Sequence, residues 1–208
     1  MLTDPPYGIS RKTGFESVVK GEKRFAVSMD FGEWDSAPPN YPSLAHLLFQ
    51  RLRSGGSAII WCAWQKTGYL NYALEESGFS KIRMVIWERS NPVPLNAGVT
   101  YLSNSREVAV SAVKDTGQTF NGYYDNGVYR MPIPRKRIHP TQKPLELFRE
   151  IIKKHSNPGD LVVDPFLGGG TTALAALEEG RRFAGCDIDP GYVEASKQRI
   201  EHLMEVQS

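Results

Sequence analysis

The sequence predicts a single α/β domain on a doubly wound, mostly parallel sheet with one antiparallel strand. Three observations carry this. Roughly the last fifty residues read as strand, glycine-rich turn, helix, strand, helix, which is a βαβα unit. Short apolar runs bounded by turn residues alternate with stretches of helical period through most of the remainder. Two such runs, 82–88 and 107–114, read as a hairpin, which reverses one strand against the others. A chain of 208 residues suits one core with long loops.

Each element has a local cause. The period of Leu44, Leu47 and Leu48 predicts a helix over Ser43 to Arg53. Gly55-Gly56 then breaks the chain before Ser57-Ala58-Ile59-Ile60-Trp61-Cys62, an apolar run that reads as a buried strand. A second helix is expected from Thr67 to Ser77, ended by Gly78. Residues 115–138 carry three glycines, two prolines and several aromatic rings with no regular period, and read as a loop-rich insertion longer than a connector needs to be. Pro144 opens a helix where its missing N–H costs nothing, with Leu145, Phe148 and Ile152 on its apolar face and Asn157-Pro158-Gly159 as its stop. In the final unit the strands are Leu161-Val162-Val163 and Arg182 to Cys186. The helices run from Thr171 to Glu179 and from Pro190 to about Met204, the latter capped by Asp189.

Composition excludes little but is consistent. With 40% hydrophobic and 23% charged residues the chain is of ordinary globular make-up. No apolar run approaches the ~20 residues of a membrane span, and the first residues lack the pattern of a secretion signal. Cys62 and Cys186 both fall in strand-like segments and read as buried thiols of a cytoplasmic protein. The net charge of +2 is neutral on nucleic acid, but Arg130, Arg135, Lys136 and Arg137 cluster among Tyr129, Met131, Pro132 and Pro134, a pattern that suits phosphate contact as well as a solvated loop.

Two motifs carry chemistry. Asp164-Pro165-Phe166-Leu167-Gly168-Gly169-Gly170-Thr171-Thr172 closes a strand with a turn that lets backbone approach a ligand and then exposes a helix start. Asp187 ends the next strand, where an acid can hold both hydroxyls of a ribose. The second motif is Asp4-Pro5-Pro6-Tyr7. Its prolines stiffen the backbone, so the carboxylate and a neighbouring carbonyl form a fixed acceptor pair beside a flat ring. That pair suits a planar amino group on a heterocycle. Accepting both its hydrogens draws the nitrogen toward tetrahedral geometry and frees its lone pair.

Together these motifs resemble the amino-methyltransferases of DNA, and their order, catalytic motif first and cofactor motif last, resembles the circularly permuted β group. Phe31 to Asp35, Leu52 to Ser57 and the His139-Pro140-Thr141-Gln142-Lys143-Pro144 run are also similar to segments of that family, so the resemblance covers nearly the whole chain. It implies a Rossmann-like fold, S-adenosylmethionine as cofactor and DNA as partner. It also implies roles. Asp4 and the carbonyl of Pro5 hold the target amino group, Pro6 stiffens the turn, and Tyr7 stacks on the flipped base. Asp164, Phe166, Gly168 and Gly170 line the cofactor pocket, with Thr171, Thr172, Thr141 and Lys143 toward its amino acid end and Asp187 on the ribose. His139 has no second ligand at a suitable spacing, so no metal site is expected.

The motif begins with Asp, as in the adenine enzymes, whereas the cytosine-N4 enzymes more often begin with Ser. Adenine is therefore the expected base. Cytosine-N4 transfer, a glutamine side-chain methyltransferase and a non-catalytic relative stand as alternatives. The insertion at 115–138 is the expected recognition element, with Arg130, Arg135, Lys136 and Arg137 on the DNA. It is short for that task, so either the recognised site is short or a second subunit, in a homodimer, helps. Only three residues precede Asp4. The strand that presents the motif is expected to be almost absent, and with it part of the adenine side of the cofactor pocket.

Overall fold

At the centre of the molecule, β4 (Ser57–Cys62) is buried at all of its positions. A strand covered on both faces reads as a continuous apolar run, and its alternate residues divide between two cores. Ile59 and Trp61 join Leu2, Trp87, Ala109, Leu147, Phe148, Ile151, Ala175 and Ala176. Ala58, Ile60 and Cys62 join Tyr41, Leu44, Ala45, Leu48, Leu70, Ala73 and Leu74.

The computed structural model describes residues 1–8, 15–19, 22–27, 39–92, 105–134 and 142–207. The elements before β4 are β1 (Leu2–Thr3), β2 (Phe15–Val19), β3 (Glu22–Val27) and α1 (Tyr41–Arg51). After it come α2 (Thr67–Glu76), β5 (Phe79–Arg89), β6 (Arg106–Lys114) and β7 (Val128–Met131). The last part holds α3 (Leu145–His155), β8 (Leu161–Asp164), α4 (Thr171–Glu178), β9 (Arg182–Gly185) and α5 (Pro190–Gln207).

Five strands form a sheet in the order β1-β4-β6-β5-β7. β1 is parallel to β4 and β5 to β7, while β6 is antiparallel to both its neighbours. Strands β1, β4, β5 and β7 therefore run one way and β6 alone runs back, as the hairpin reading required. The parallel pair β8–β9 lies beside β1, where Thr3 Oγ1 donates to Asp164 Oδ1 at 2.6 Å. α1 and α2 cover one face, and α3 and α4 the other. β2 and β3 form a separate antiparallel hairpin that no sequence period announced.

Several elements depart from expectation. α1 begins at Tyr41 because Asn40 caps it, accepting from Ser43 N at 3.0 Å; Tyr41 and Ala45 complete its buried stripe and Leu47 stays 48% exposed. α3 buries Leu147, Phe148, Ile151 and Ile152, and its last turn holds Lys153 and Lys154, which suit the negative end of the helix dipole. Cys186 lies just past β9 and is exposed, so only Cys62 is a buried thiol. The insertion is not wholly irregular, since β7 adds to the edge of the sheet beside β5. β1 is only two residues long, yet Leu2 and Thr3 stand in register with Ile59 and Ile60. A cavity of about 370 Å³ opens near Leu2 and the first residues of β4 and β8, lined also by Ile151, His155 and Arg182. It lies at the end of the sheet away from Asp4 and is not the reactive site.

Candidate active site

Asp4-Pro5-Pro6-Tyr7 leaves the C-terminal end of β1 with Pro5 buried and Asp4 half-buried. The carboxylate is held at both oxygens. Oδ1 accepts from the Tyr7 hydroxyl at 2.8 Å, and Oδ2 from Lys143 Nζ at 2.5 Å. Lys143 is 2% exposed, and its ammonium also lies 3.2 Å from the Tyr7 hydroxyl and 3.0 Å from Glu107 Oε2. It sits 5.3 Å from the centre of the Tyr7 ring and 5.4 Å from that of Trp61. Burial pulls the Lys143 ammonium below the usual lysine range, and Asp4 opposes that pull. Burial and the Asp4 charge push the Tyr7 phenol well above its usual range, so it stays a donor. Nothing in the sequence pointed to Glu107 at this site. It belongs to no motif, and only the reversed strand β6 brings it in.

The second motif sits directly alongside. Asp164, at the end of β8, is buried, and three protein donors converge on it: Thr3 Oγ1 at 2.6 Å, Thr172 Oγ1 at 2.5 Å and Phe166 N at 3.0 Å. Burial pushes its carboxyl up to about 7 despite those donors. Asp164 thus ties β1 and α4 to the glycine turn. Gly170 has φ +75°, and a Cβ there would come within 2.8 Å of Ser196 Oγ. Only glycine satisfies both conditions. Ser196 Oγ in turn donates to Gly168 O at 2.8 Å, and Leu167 N to Cys186 O at 2.9 Å, so α5 and the end of β9 brace the turn. Thr171 and Thr172 are buried in the first turn of α4, where backbone N–H groups lack intrahelical acceptors.

Asp187 accepts from Gly168 N at 2.7 Å through Oδ2 and from Asp189 N at 2.9 Å through Oδ1. Each oxygen keeps a further lone pair, enough for a pair of ribose hydroxyls. Next to it Ile188 is 91% exposed, an apolar surface on which a purine ring can lie. The donor set therefore fits an adenosyl group: an acid for the ribose, an apolar neighbour for the base and a close-approach turn. Ile188 and Ser196 were not singled out from the sequence, because each acts only through its place beside the turn.

The remaining assignments divide. Arg130 lies on β7 with its guanidinium exposed and its Nε 2.7 Å from Glu88 Oε2. Arg135, Lys136, Arg137, Thr141 and His139 lie outside the described residues. The first half of the insertion lies at the end of the sheet opposite Asp4. Lys114 pairs with Gly55 and Gly56 before β4, Asn121 binds the Lys153 and Ser156 carbonyls at the end of α3, and the Phe120 ring packs on His155. Lys143 and Asp4 are at the other end of α3, whose eleven residues span roughly 16 Å. β7 carries the chain back, so the connections leaving Arg89 and Met131 emerge on the Asp4 side.

A strand-end acid over a glycine turn, on a sheet with a single reversed strand and beside an acceptor-bearing Asp-Pro-Pro-Tyr turn, defines an S-adenosylmethionine-dependent methyltransferase. A family model described as DNA methylase matches residues 1–125 and 121–198, and the chain belongs to that N6/N4 DNA methylase family. It is 30% identical to the Type II methyltransferase M2.DpnII of Streptococcus pneumoniae, over 97% of this chain and 81% of that one. It is 27% identical to M.HinfI of Haemophilus influenzae, over 98% of this chain and 63% of that one. Among solved structures, the M1.HpyAVI complex with S-adenosylmethionine matches with a TM-score of 0.72 and 29% identity, covering 95% of this chain and 86% of that one. The cytosine-N4-specific PvuII methyltransferase shares the fold, with a TM-score of 0.68 at 19% identity. Among the described residues, no helix is long and apolar enough to cross a membrane.

Proposed function

We propose that this protein transfers the methyl group of S-adenosylmethionine to the exocyclic N6 amino group of adenine in DNA. The observation that carries the reading is the placement of Asp4: its carboxylate is oriented by Tyr7 and Lys143, one residue from the Thr3–Asp164 bond that joins the catalytic turn to the cofactor turn. The cofactor supplies an electrophilic methyl on a sulfonium, a good leaving group, so no metal is needed. Asp4 and the Pro5 carbonyl would each accept a hydrogen bond from the target amino group. The nitrogen lone pair would then form the new N–C bond as the S–C bond breaks in line, the sulfur leaving as a neutral thioether and the surplus amino proton passing to solvent. A duplex target must first be flipped out, at a few kcal/mol, and stacking on Tyr7 returns about 1–3 kcal/mol. Adenine is favoured over cytosine because the motif opens with Asp.

Recognition is assigned to the stretch that follows β7, with Arg135, Lys136 and Arg137 on phosphates, rather than to residues 115–127 at the far end of the sheet. The deciding experiment incubates the protein with methyl-labelled cofactor and unmethylated DNA, then digests to nucleosides. Label in N6-methyldeoxyadenosine supports the reading. Label in N4-methyldeoxycytidine assigns the other base, and absence of label under conditions of cofactor binding assigns a non-catalytic relative.

A further inference from the structure

Glu107 lies outside every motif, on the one reversed strand, yet it reaches the catalytic turn. One of its oxygens pairs with Arg89 and the other lies 3.0 Å from Lys143 Nζ, which holds Asp4 Oδ2 at 2.5 Å. From β5 to the end of β1, four side chains alternate in charge: Arg89, Glu107, Lys143, Asp4. Their formal charges cancel. Lys143 stands just before α3, and it is 2% exposed. An ammonium so buried is tolerable only where its pairing is good, and here two carboxylates grip it from opposite strands.

We propose that Glu107 is a positioning residue for methyl transfer: it anchors Lys143, so that the ammonium fixes one oxygen of Asp4 and leaves the remaining lone pairs of that carboxylate for the target amino group. This rests on the reading of Asp4 given above. The groups facing Lys143 are Asp4 and Tyr7 from the turn after β1, Trp61 of β4, Arg89 of β5 and Glu107 of β6, while Cys62 of β4 interacts with Asp4. The Cys62 thiol, pushed up to about 12 by burial, stays neutral. Burial and Arg89 favour loss of the Lys143 proton, and Asp4 opposes it. Removing the Glu107 charge takes away another opposing neighbour, so the ammonium, and with it the hold on Asp4, gives way at lower pH.

The experiment measures single-turnover methyl transfer against pH, with cofactor affinity by calorimetry. Glu107→Gln is expected to lower the rate at least tenfold, keep cofactor affinity within threefold, and move the alkaline limb of the profile to lower pH. Glu107→Asp, which keeps the charge, keeps the wild-type limb. Wild-type rate and limb in Glu107→Gln overturn the proposal. Should that variant not fold, Lys143→Arg decides: arginine stays charged throughout the range, so its limb must vanish, and a wild-type limb overturns the proposal. Asp4→Ala is run beside them. Full activity there fails the reading of the site itself, whereas an inactive Asp4→Ala with a wild-type Glu107→Gln fails only the role of Glu107.

Discussion

Thr3 donates its hydroxyl to Asp164 across 2.6 Å, although the two stand 161 positions apart in the chain. Thr3 immediately precedes Asp4, and Asp164 begins the glycine turn. This bond ties the Asp-Pro-Pro-Tyr turn to the glycine turn. β1 and β8 are neighbours, so the two motifs lie side by side although they stand near opposite ends of the sequence.

Asp164 should leave a pH signature on stability. Its folded carboxyl is raised to about 7, against an unfolded value of about 3.9. Between those values the folded state holds the proton and the unfolded state does not, so stability falls as pH rises through the window. Asp164→Asn keeps the shape without the charge. Its melting temperature relative to the parent should rise from pH 5 to pH 8, and a difference that is flat across this range would contradict the assignment.

Asp187 is expected to dominate ribose binding. Charge-assisted hydrogen bonds contribute roughly 1.5–3 kcal/mol each, so Asp187→Ala should weaken S-adenosylmethionine by more than tenfold in calorimetry. Circular dichroism establishes that the variant is folded. Unchanged affinity would place the ribose elsewhere.

The two halves of the insertion should separate in function. Neutralising Arg135, Lys136 and Arg137 together should weaken binding to all DNA sequences alike and flatten the salt dependence, by up to about 0.9 in log–log slope per lost phosphate contact. Tyr123 and Tyr124 are 86% and 91% exposed and packed edge to face at 4.5 Å, in the half turned away from Asp4. Replacing both with Ser should leave the methylated sequence unchanged. A changed recognition sequence would return that half to the DNA surface.

What was legible in the sequence follows from locality. The stiff Asp-Pro-Pro turn, the strand–glycine–helix unit around Gly170 and the buried run of β4 are each specified by adjacent residues. The reversed strand of the five-stranded sheet was legible because two apolar runs stood on either side of one loop. Glu107 was not, since an acid at the start of an apolar strand looks like a solvated end until β6 pairs with β5 and points it at Lys143. β7 was missed because four residues between glycines and prolines are too short for a period to show, and their strand conformation depends on pairing with Ile86 to Arg89. The burial of Lys143 was equally hidden, because its partners come from β1 and β6.

The most direct measurement of the central claim is single-turnover methyl transfer by Asp4→Ala, with S-adenosylmethionine affinity measured on the same protein. Loss of a contact made in the transition state lowers the rate without weakening the ground state. The account predicts that transfer to unmethylated DNA falls by orders of magnitude while cofactor affinity stays within a few-fold. Transfer at the parent rate would contradict it.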